Sequence, residues 1–264
     1  MTQTPVGFRC PECAREKTVV KSGPAAVSGA GSYPATMVLI GANVIMFLLT
    51  ILTGSGGLST VGGPMIGNFG LIGQAVADGE WYRLITGGFL HAGLIHIGFN
   101  MFALYFLGRV LEPSIGTVRF VMIYFASLLA GSFGAILLSG SDVVTVGASG
   151  AVFGIFGAVF VIARGRGMND MAREVGLILG INLLLTFTIS GISIGGHLGG
   201  VIGGVLCGLL VIAGERGRLG SSAKAIEYGG IVAIGVISAV AAIMISEPPT
   251  TTGVFLGLIS ALGF

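Results

Sequence analysis

Long apolar runs separated by short polar stretches dominate the chain. Seven such segments lie near residues 35–53, 94–111, 118–138, 147–163, 175–192, 194–213 and 226–245. Several approach the roughly 20 residues that an α-helix needs to cross a bilayer, and the shorter ones, about 17 residues long, are still within range. Because every backbone amide in lipid must be paired internally, each segment is predicted to be a helix. The pattern therefore predicts an all-α, polytopic membrane protein.

Composition supports this prediction and excludes some classes of function. Hydrophobic residues make up 53% of the 264 residues and charged residues only 9%, against about a quarter charged in an average soluble domain. The formal net charge of +2 is too small to indicate a nucleic-acid partner. The 48 glycines are best explained by close helix packing in the membrane. The expected partners are the lipid bilayer and other membrane proteins.

The two ends of the chain are predicted to be tails, 1–34 before the first segment and 246–264 after the last. Cys10 and Cys13 form half of a zinc knuckle, but structural zinc needs four ligands. No further cysteine or histidine outside the apolar segments completes the set. The favoured interpretation is a disordered tail with two free thiols, so neither a metal nor another cofactor is expected.

The placement of lysine and arginine predicts the orientation in the membrane. Twelve of the thirteen basic residues fall on one side of the predicted bundle: Arg9, Arg15, Lys17, Lys21, Arg109, Arg119, Arg164, Arg166, Arg173, Arg216, Arg218 and Lys224. Only Arg83 falls on the other. Because cytoplasmic loops carry the excess of basic residues, we expect a cytoplasmic N-terminus, an extracytoplasmic C-terminus and a location in the inner or plasma membrane.

The loop 54–93 is longer than most connections, which indicates a function of its own. It contains Trp81, Tyr82 and Arg83, and such residues often anchor a protein at the membrane interface. Simple anchoring is therefore the alternative interpretation of this loop.

Polar side chains in apolar segments are functional candidates because they are costly there. His96 and Asn100 are four residues apart and share one face of the predicted second helix. His91 is turned away from them, and the glutamate of a zincin motif is missing. Asp78, Asp142 and Asp170 are all predicted to lie in loops, which excludes an intramembrane pair of catalytic aspartates.

Ser149 opens the fourth segment within Gly147-Ala-Ser149-Gly150. A serine at this position is most often only a helix cap. Its surroundings also fit a nucleophile, because a helix N-terminus offers unpaired amides and a positive dipole end to a developing oxyanion. The tetrapeptide alone is a weak signal.

His197 lies in the sixth segment among glycines that recur every four residues, with Gly195, Gly199 and Gly203 in one row. A second row holds Gly196, Gly200, Gly204 and Gly208, and the fourth segment has Gly150, Gly154 and Ala158 at the same spacing. Small residues four apart allow close helix packing. Packing of the fourth helix on the sixth would bring Ser149 toward His197, and a serine within hydrogen-bond reach of a histidine is an activated nucleophile.

Together these residues resemble the rhomboid family of intramembrane serine proteases, from about Ala35 to Gly214. The motifs that carry the resemblance are Glu80-Trp81-Tyr82-Arg83, His91-x4-His96-x3-Asn100, Leu111-Glu112, Gly147-x-Ser149-Gly150 and Gly196-His197-x2-Gly200. The resemblance implies a catalytic core of six helices at 35–213 and an additional seventh helix at 226–245. Some actinobacterial rhomboids are similar around Cys10 and Cys13 and have a longer N-terminal domain, which implies that this chain starts inside such a domain.

The resemblance also implies roles for individual residues. Ser149 is the expected nucleophile and His197 the general base. His96, Asn100 and the Ser149 amide are expected to form the oxyanion hole, and Phe153 to support the histidine ring. Gly147, Gly150 and Gly199 are expected to support the site.

The expected activity is endoproteolysis of transmembrane proteins near the extracytoplasmic face. Two alternatives remain open at this point. One is a non-catalytic scaffold or chaperone of the same fold that binds membrane proteins. The other is a small transporter or channel, although the polar residues cluster toward the outer side instead of crossing the full thickness.

Overall fold

The computed structural model describes residues 2–4, 7–9, 32–54, 56–58, 60–140 and 142–246. The chain divides into two compact units, Met1–Gly31 and Ser32–Phe264. In the first unit, strands β1 (Thr2–Thr4) and β2 (Gly7–Arg9) pair in antiparallel fashion. The prediction of a disordered tail was wrong for these two strands, whose backbones pair with each other. Cys10, Cys13 and the tail from 247 onward lie outside the described residues, so the predictions made for them remain predictions.

The second unit is a helical bundle. Its elements are α1 (Pro34–Thr53), β3 (Gly56–Gly57), β4 (Thr60–Val61), α2 (Pro64–Phe69), α3 (Gly73–Ala77), α4 (Arg83–Thr86), α5 (Leu94–Ile115), α6 (Thr117–Ser139), α7 (Ser149–Gly165), α8 (Asn169–Thr188), α9 (Ile194–Glu215) and α10 (Ala223–Ser246). Within the described residues, six helices are long and apolar enough to cross a membrane, namely α1, α5, α6, α8, α9 and the span that contains α10. The apolar helix α7 is shorter, with 17 residues. The chain is a multi-pass membrane protein, and the predicted fold class is confirmed.

Helix α9 is the centre of the bundle, and its two glycine rows contact different neighbours. A Cβ added at Gly200 would overlap the carbonyl oxygen of Gly150, and one at Gly204 that of Gly154, both on α7. A Cβ at Gly199 would instead overlap the carbonyl oxygen of Ala130 on α6. The predicted contact between the fourth and sixth apolar helices is present. The assignment of the Gly199 row to that contact was wrong, because this row packs on α6.

The loop between α1 and α5 is organised by one buried arginine. Arg83 is only 5% exposed, and its Nη1 donates to the carbonyl oxygens of Gly67 and Gly70, both at 2.8 Å. Its Nε donates to the Glu80 carboxylate at 2.6 Å. Arg83 thus holds the loop together from inside, whereas Trp81 is 56% exposed and its place at the membrane interface stays a prediction.

A fully buried carboxylate joins three helices at the other end of the bundle. Glu112, near the end of α5, accepts hydrogen bonds from the backbone amides of Ala35 and Thr36 at 2.9 and 2.8 Å. It also accepts from the hydroxyls of Thr36 and Thr117 at 2.7 and 2.9 Å. These donors lie in the first turns of α1 and α6, where amides have no partner within their own helix. Glu112 therefore fixes the start of both helices against the end of α5.

Helix α10 is tied to α6 by an ion pair between Arg119 and Glu227. The Glu227 side chain is nearly completely buried, and a second bond from Arg119 Nη2 to Glu227 Oε2 measures 3.2 Å. This pair fixes the last helix against the bundle.

Candidate active site

One cavity of about 830 Å³ contains the residues singled out in the sequence. Its lining includes His96 and Asn100 from α5, Ser149 and Phe153 from α7, and His197 from α9. The polar side chains predicted for catalysis therefore share one space, although they are up to 101 positions apart in the sequence.

Ser149 is the first residue of α7, and its hydroxyl does not cap the helix. The N-cap is Ala148, and no side-chain hydrogen bond caps this end. Gly147, two residues before Ser149, has φ +130°, a backbone conformation that residues with a side chain disfavour. Its amide donates to the Gly87 carbonyl at 3.0 Å. The simple capping interpretation of Ser149 is therefore wrong, and the residue stands at an uncapped helix N-terminus facing the cavity.

His197 lies in the first turn of α9, where Ser193 caps the helix by accepting from the Gly196 amide at 3.1 Å. Its buried imidazole stacks on the ring of Phe153, with centroids 3.9 Å apart and planes inclined by 16°. Its Nδ1 lies 2.7 Å from the hydroxyl of Thr186 on α8. Ring stacking and this contact together fix the orientation of the imidazole.

Within the described residues, no hydrogen bond joins the Ser149 hydroxyl to His197, although both side chains line the same cavity. Catalytic hydrogen bonds of this kind are often long until substrate is bound. The dyad thus remains a prediction that the shared cavity permits.

His96 and Asn100 lie one turn apart on α5, and the Asn100 amide nitrogen donates to the His96 carbonyl at 3.0 Å. A Cβ placed on Gly147 would stand 2.7 Å from His96 Nε2 and 3.7 Å from Ser149 Oγ. The His96 ring therefore lies over the bare backbone beside Ser149, and only glycine at 147 leaves room for it. The expected role of His96 in an oxyanion hole stays a prediction.

His91 lies behind this group, in the loop that precedes α5. It is fully buried, and its ring meets that of His96 edge-on at a centroid distance of 5.1 Å. Burial lowers the pKa of His91 to about 3, so this imidazole is neutral at physiological pH. The Ala148 amide lies 3.5 Å from its Nε2, at the start of α7.

Three helices meet at Gly150, beside Ser149. A Cβ on Gly131 of α6 would stand 3.0 Å from the Gly150 Cα and 2.9 Å from the Gly196 carbonyl oxygen. A side chain at Gly131 would therefore push α6 away from α7 or α9, whereas a Cβ on Gly150 itself would stand 3.4 Å from the Gly131 Cα and the Gly196 carbonyl oxygen, an ordinary contact. The backbone at Gly150 thus lies close to both neighbouring helices, and a supporting role of its missing side chain stays a prediction.

The described part of the chain offers few side chains for a metal site or for a pair of catalytic aspartates. No group of three or more histidine, cysteine, aspartate or glutamate side chains there could hold a metal ion. Asp142 lies in a loop as predicted, whereas Asp170 lies in the first turn of α8. Neither residue lines the cavity.

Thr186 is a site residue that the sequence analysis did not predict. The buried residues of α8 are Ala172, Leu179 and Thr186, seven positions apart. A seven-residue stripe that ends in a hydroxyl was the available signal, but it stands out only once the buried face of α8 is known.

The sequence of the chain is similar to a family of known proteins. The sequence model of the Rhomboid domain matches residues 78–214, just over half of the chain. Rhomboid protease GluP of Bacillus subtilis is 33% identical over 176 residues, which cover 66% of this chain and 34% of GluP. Rhomboid-type serine protease 2 of Emericella nidulans is 36% identical over 112 residues, covering 40% of this chain and 22% of that protein.

A plant relative gives the same result over a shorter stretch. RHOMBOID-like protein 6, mitochondrial, of Arabidopsis thaliana is 42% identical over 87 residues, covering 33% of this chain and 28% of that protein. The matched region spans about a third or less of the length of each of these three relatives. The matched domain and the helical bundle around Ser149 and His197 together assign the chain to the rhomboid family.

Proposed function

We propose that this chain is an intramembrane serine endopeptidase that cleaves transmembrane proteins with a Ser149–His197 dyad. The observation that carries the proposal is the shared cavity, in which Ser149 at an uncapped helix N-terminus faces the same space as His197, His96 and Asn100. The names of the relatives, which include the words protease and serine protease, point to the same chemistry.

In the first half of the reaction, Ser149 Oγ attacks the carbonyl carbon of the scissile peptide bond while His197 Nε2 takes the hydroxyl proton. The resulting tetrahedral intermediate carries a negative oxygen. The Asn100 amide, His96 and the Ser149 backbone amide are the donors proposed to stabilise it. When the C–N bond breaks, the proton on His197 passes to the leaving amine and Ser149 holds an acyl group.

In the second half, water replaces the amine. His197 removes a proton from that water, the hydroxide adds to the acyl carbon, and the proton returns to Ser149 Oγ as the ester bond breaks. The products are a new carboxylate and a free enzyme. A cavity of about 830 Å³ has room for water beside an extended substrate strand.

The substrate must unwind to react, because a helical backbone keeps its carbonyl groups in internal hydrogen bonds. The asymmetry of basic residues supports a site near the extracytoplasmic face of the inner or plasma membrane. A partly unwound end of a transmembrane helix is therefore the substrate class that we propose.

The test uses the purified full chain in liposomes with a model transmembrane substrate. Ser149→Ala and His197→Ala should each abolish cleavage, and Ser149→Ala should also abolish labelling by a fluorophosphonate probe. Ser238→Ala is the matched control, because Ser238 bonds to the Ile234 carbonyl of α10 and does not line the cavity. Substantial cleavage by either dyad variant would contradict the proposal.

The same experiment separates a protease from a scaffold that only binds membrane proteins. A scaffold would retain substrate in a pull-down with both wild type and Ser149→Ala, but wild type would neither cleave it nor react with the probe. That outcome would replace the proposed function.

A further inference from the structure

We infer that Thr186 is a positioning residue that holds His197 in the tautomer required of a general base, an inference that rests on the proposed function. The chemistry needs a neutral imidazole whose Nε2 carries a lone pair toward Ser149 and whose Nδ1 carries the proton. Thr186 is the side chain that touches Nδ1.

Thr186 is held in a buried position on a helix that is mostly exposed. It is 2% exposed and is the one polar member of the buried stripe of α8. A buried hydroxyl is costly without hydrogen bonds. Thr186 has two partners, the Asn182 carbonyl at 2.9 Å and His197 Nδ1 at 2.7 Å.

The two contacts together decide the direction of the hydrogen bond. A threonine hydroxyl has one proton to donate and two lone pairs to accept with. Its proton goes to the Asn182 carbonyl, which is an acceptor only. With the hydroxyl proton on this carbonyl, the hydroxyl accepts from His197, which places the imidazole proton on Nδ1 and the lone pair on Nε2.

The position of Thr186 complements that of Phe153. Stacking on Phe153 fixes the plane of the imidazole but does not distinguish its two nitrogens, since a half-turn of the ring keeps the stack. The bond to Thr186 does distinguish them. Ring plane and ring direction are thus set by residues of different helices, α7 and α8.

Thr186 could have a purely local role, because threonines in helices often bond to the carbonyl four residues earlier. Thr188 provides the comparison on the same helix. Its hydroxyl donates to the Leu185 carbonyl at 3.1 Å, it is exposed, and it does not line the cavity. Removal of either hydroxyl costs the helix one local bond, but only removal of the first deprives His197 of a partner.

The kinetic test compares Thr186→Val, Thr186→Ser and Thr188→Val with wild type in liposomes. Thr186→Val nearly keeps the shape and should lower kcat by about 10- to 100-fold, the range expected when a buried donor loses its acceptor. KM should not change, because Thr186 acts through His197 and not on the substrate. Thr186→Ser should restore most of the rate, and Thr188→Val should match wild type.

A spectroscopic test reads the tautomer directly and does not need activity. In protein labelled with ¹⁵N-histidine, the His197 signals are those missing from His197→Ala. Wild type should show the proton on Nδ1, and Thr186→Val should show a mixture or a proton on Nε2. This readout also remains valid for a variant with little cleavage.

The outcomes separate this inference from the proposed function. Full kcat in Thr186→Val, or a wild-type His197 with its proton on Nε2, would overturn the role of Thr186 even if the dyad variants are inactive. Cleavage that survives His197→Ala would instead overturn the proposed function. If Thr186→Val does not fold, the wild-type tautomer and the rate of Thr186→Ser still decide, because a proton on Nε2 or an inactive, folded Thr186→Ser would contradict the inference.

Discussion

The phenyl ring of Phe153 lies nearly parallel to the imidazole of His197, with the ring centroids 3.9 Å apart. Phe153 is one helical turn after Ser149 on α7. One helix therefore carries both the proposed nucleophile and the surface on which the proposed base lies, so the two cannot move independently by much.

Phe153→Leu should lower kcat by about two- to thirteenfold, because aromatic stacking contributes about 0.5–1.5 kcal/mol. Phe153→Tyr should retain the rate, since the ring remains. Phe160→Leu, on the same helix and outside the cavity, is the control. Cleavage assays in liposomes decide, and an unchanged kcat in Phe153→Leu would show that the stack does not position the base.

Asn100→Ala should lower kcat by roughly 10²–10³, the usual cost of losing one oxyanion donor. The effect should fall on turnover and not on KM, because the donor acts on charge that exists only in the transition state. Asn169→Ala is the control, since Asn169 begins α8 and bonds to Arg164, outside the cavity. A change in KM alone would make Asn100 a substrate-binding residue instead.

Gly200→Ala should reduce cleavage to about 1% of wild type or less. The added methyl should displace α7, and a displacement of about 1 Å in an active site can cost 10²-fold in rate. The added Cβ would overlap the Gly150 carbonyl oxygen and stand 2.8 Å from its carbon, next to Ser149. Gly229→Ala on α10 meets nothing within 4 Å and should behave as wild type. Normal cleavage by folded Gly200→Ala would mean that the contact of α7 with α9 does not set the geometry.

The glycine rows show what the sequence can and cannot predict about this fold. Their four-residue spacing correctly predicts that α9 packs closely, because it describes a face of the helix itself. It does not say which neighbour meets each face, so Gly199 was assigned to the wrong helix. That choice depends on the arrangement of all the helices, which no local pattern contains.

For individual side chains of the loop and of the site, too, local sequence predicted some roles and missed others. His96 and Asn100 were found because polar residues in an apolar segment are conspicuous. The internal role of Arg83 was not predicted, because two of its partners are the backbone carbonyls of Gly67 and Gly70, and backbone carbonyls leave no mark in the sequence. Thr186 escaped notice because threonine is common in membrane helices, and only its contact with His197 distinguishes it from Thr188.

The loop tied by Arg83 should loosen in acid. Hydrogen bonds from Tyr82 and Arg83 lower the pKa of Glu80. Since the folded pKa lies below the unfolded value of about 4.3, this stabilisation is complete above that pH and is lost as pH falls through the folded pKa. The protection of the amides of residues 64–86 against exchange, relative to the intrinsic rate at each pH, should therefore fall in this range.

The difference between wild type and Glu80→Gln isolates this effect, because titration of other groups, including His91, is common to both. The difference in amide exchange should vanish once Glu80 is protonated. A difference that stays constant from pH 6 to the acid limit would contradict the assignment.

Labelling of single cysteines tests the predicted orientation in the membrane, which rests on twelve basic residues on one side of the bundle and one on the other. In a background with Cys10→Ser and Cys13→Ser, Asp142→Cys should react with an impermeant maleimide in intact cells, and Arg218→Cys only after permeabilisation. Cys207 is buried and serves as the blank. The reverse pattern would place the cavity on the cytoplasmic side.

The carboxylate of Glu112 imposes an order in time on assembly. Its amide partners Ala35 and Thr36 lie 77 and 76 positions earlier in the chain, so the ribosome delivers α1 well before the group that completes its first turn. At about 5–20 residues per second this interval is roughly 4–15 s. During it the positive end of the α1 dipole has only water, lipid headgroups or the insertion machinery as partners. The first helix of the bundle is thus synthesised first, but its N-terminal amides gain their Glu112 partner only after the end of α5 has been synthesised.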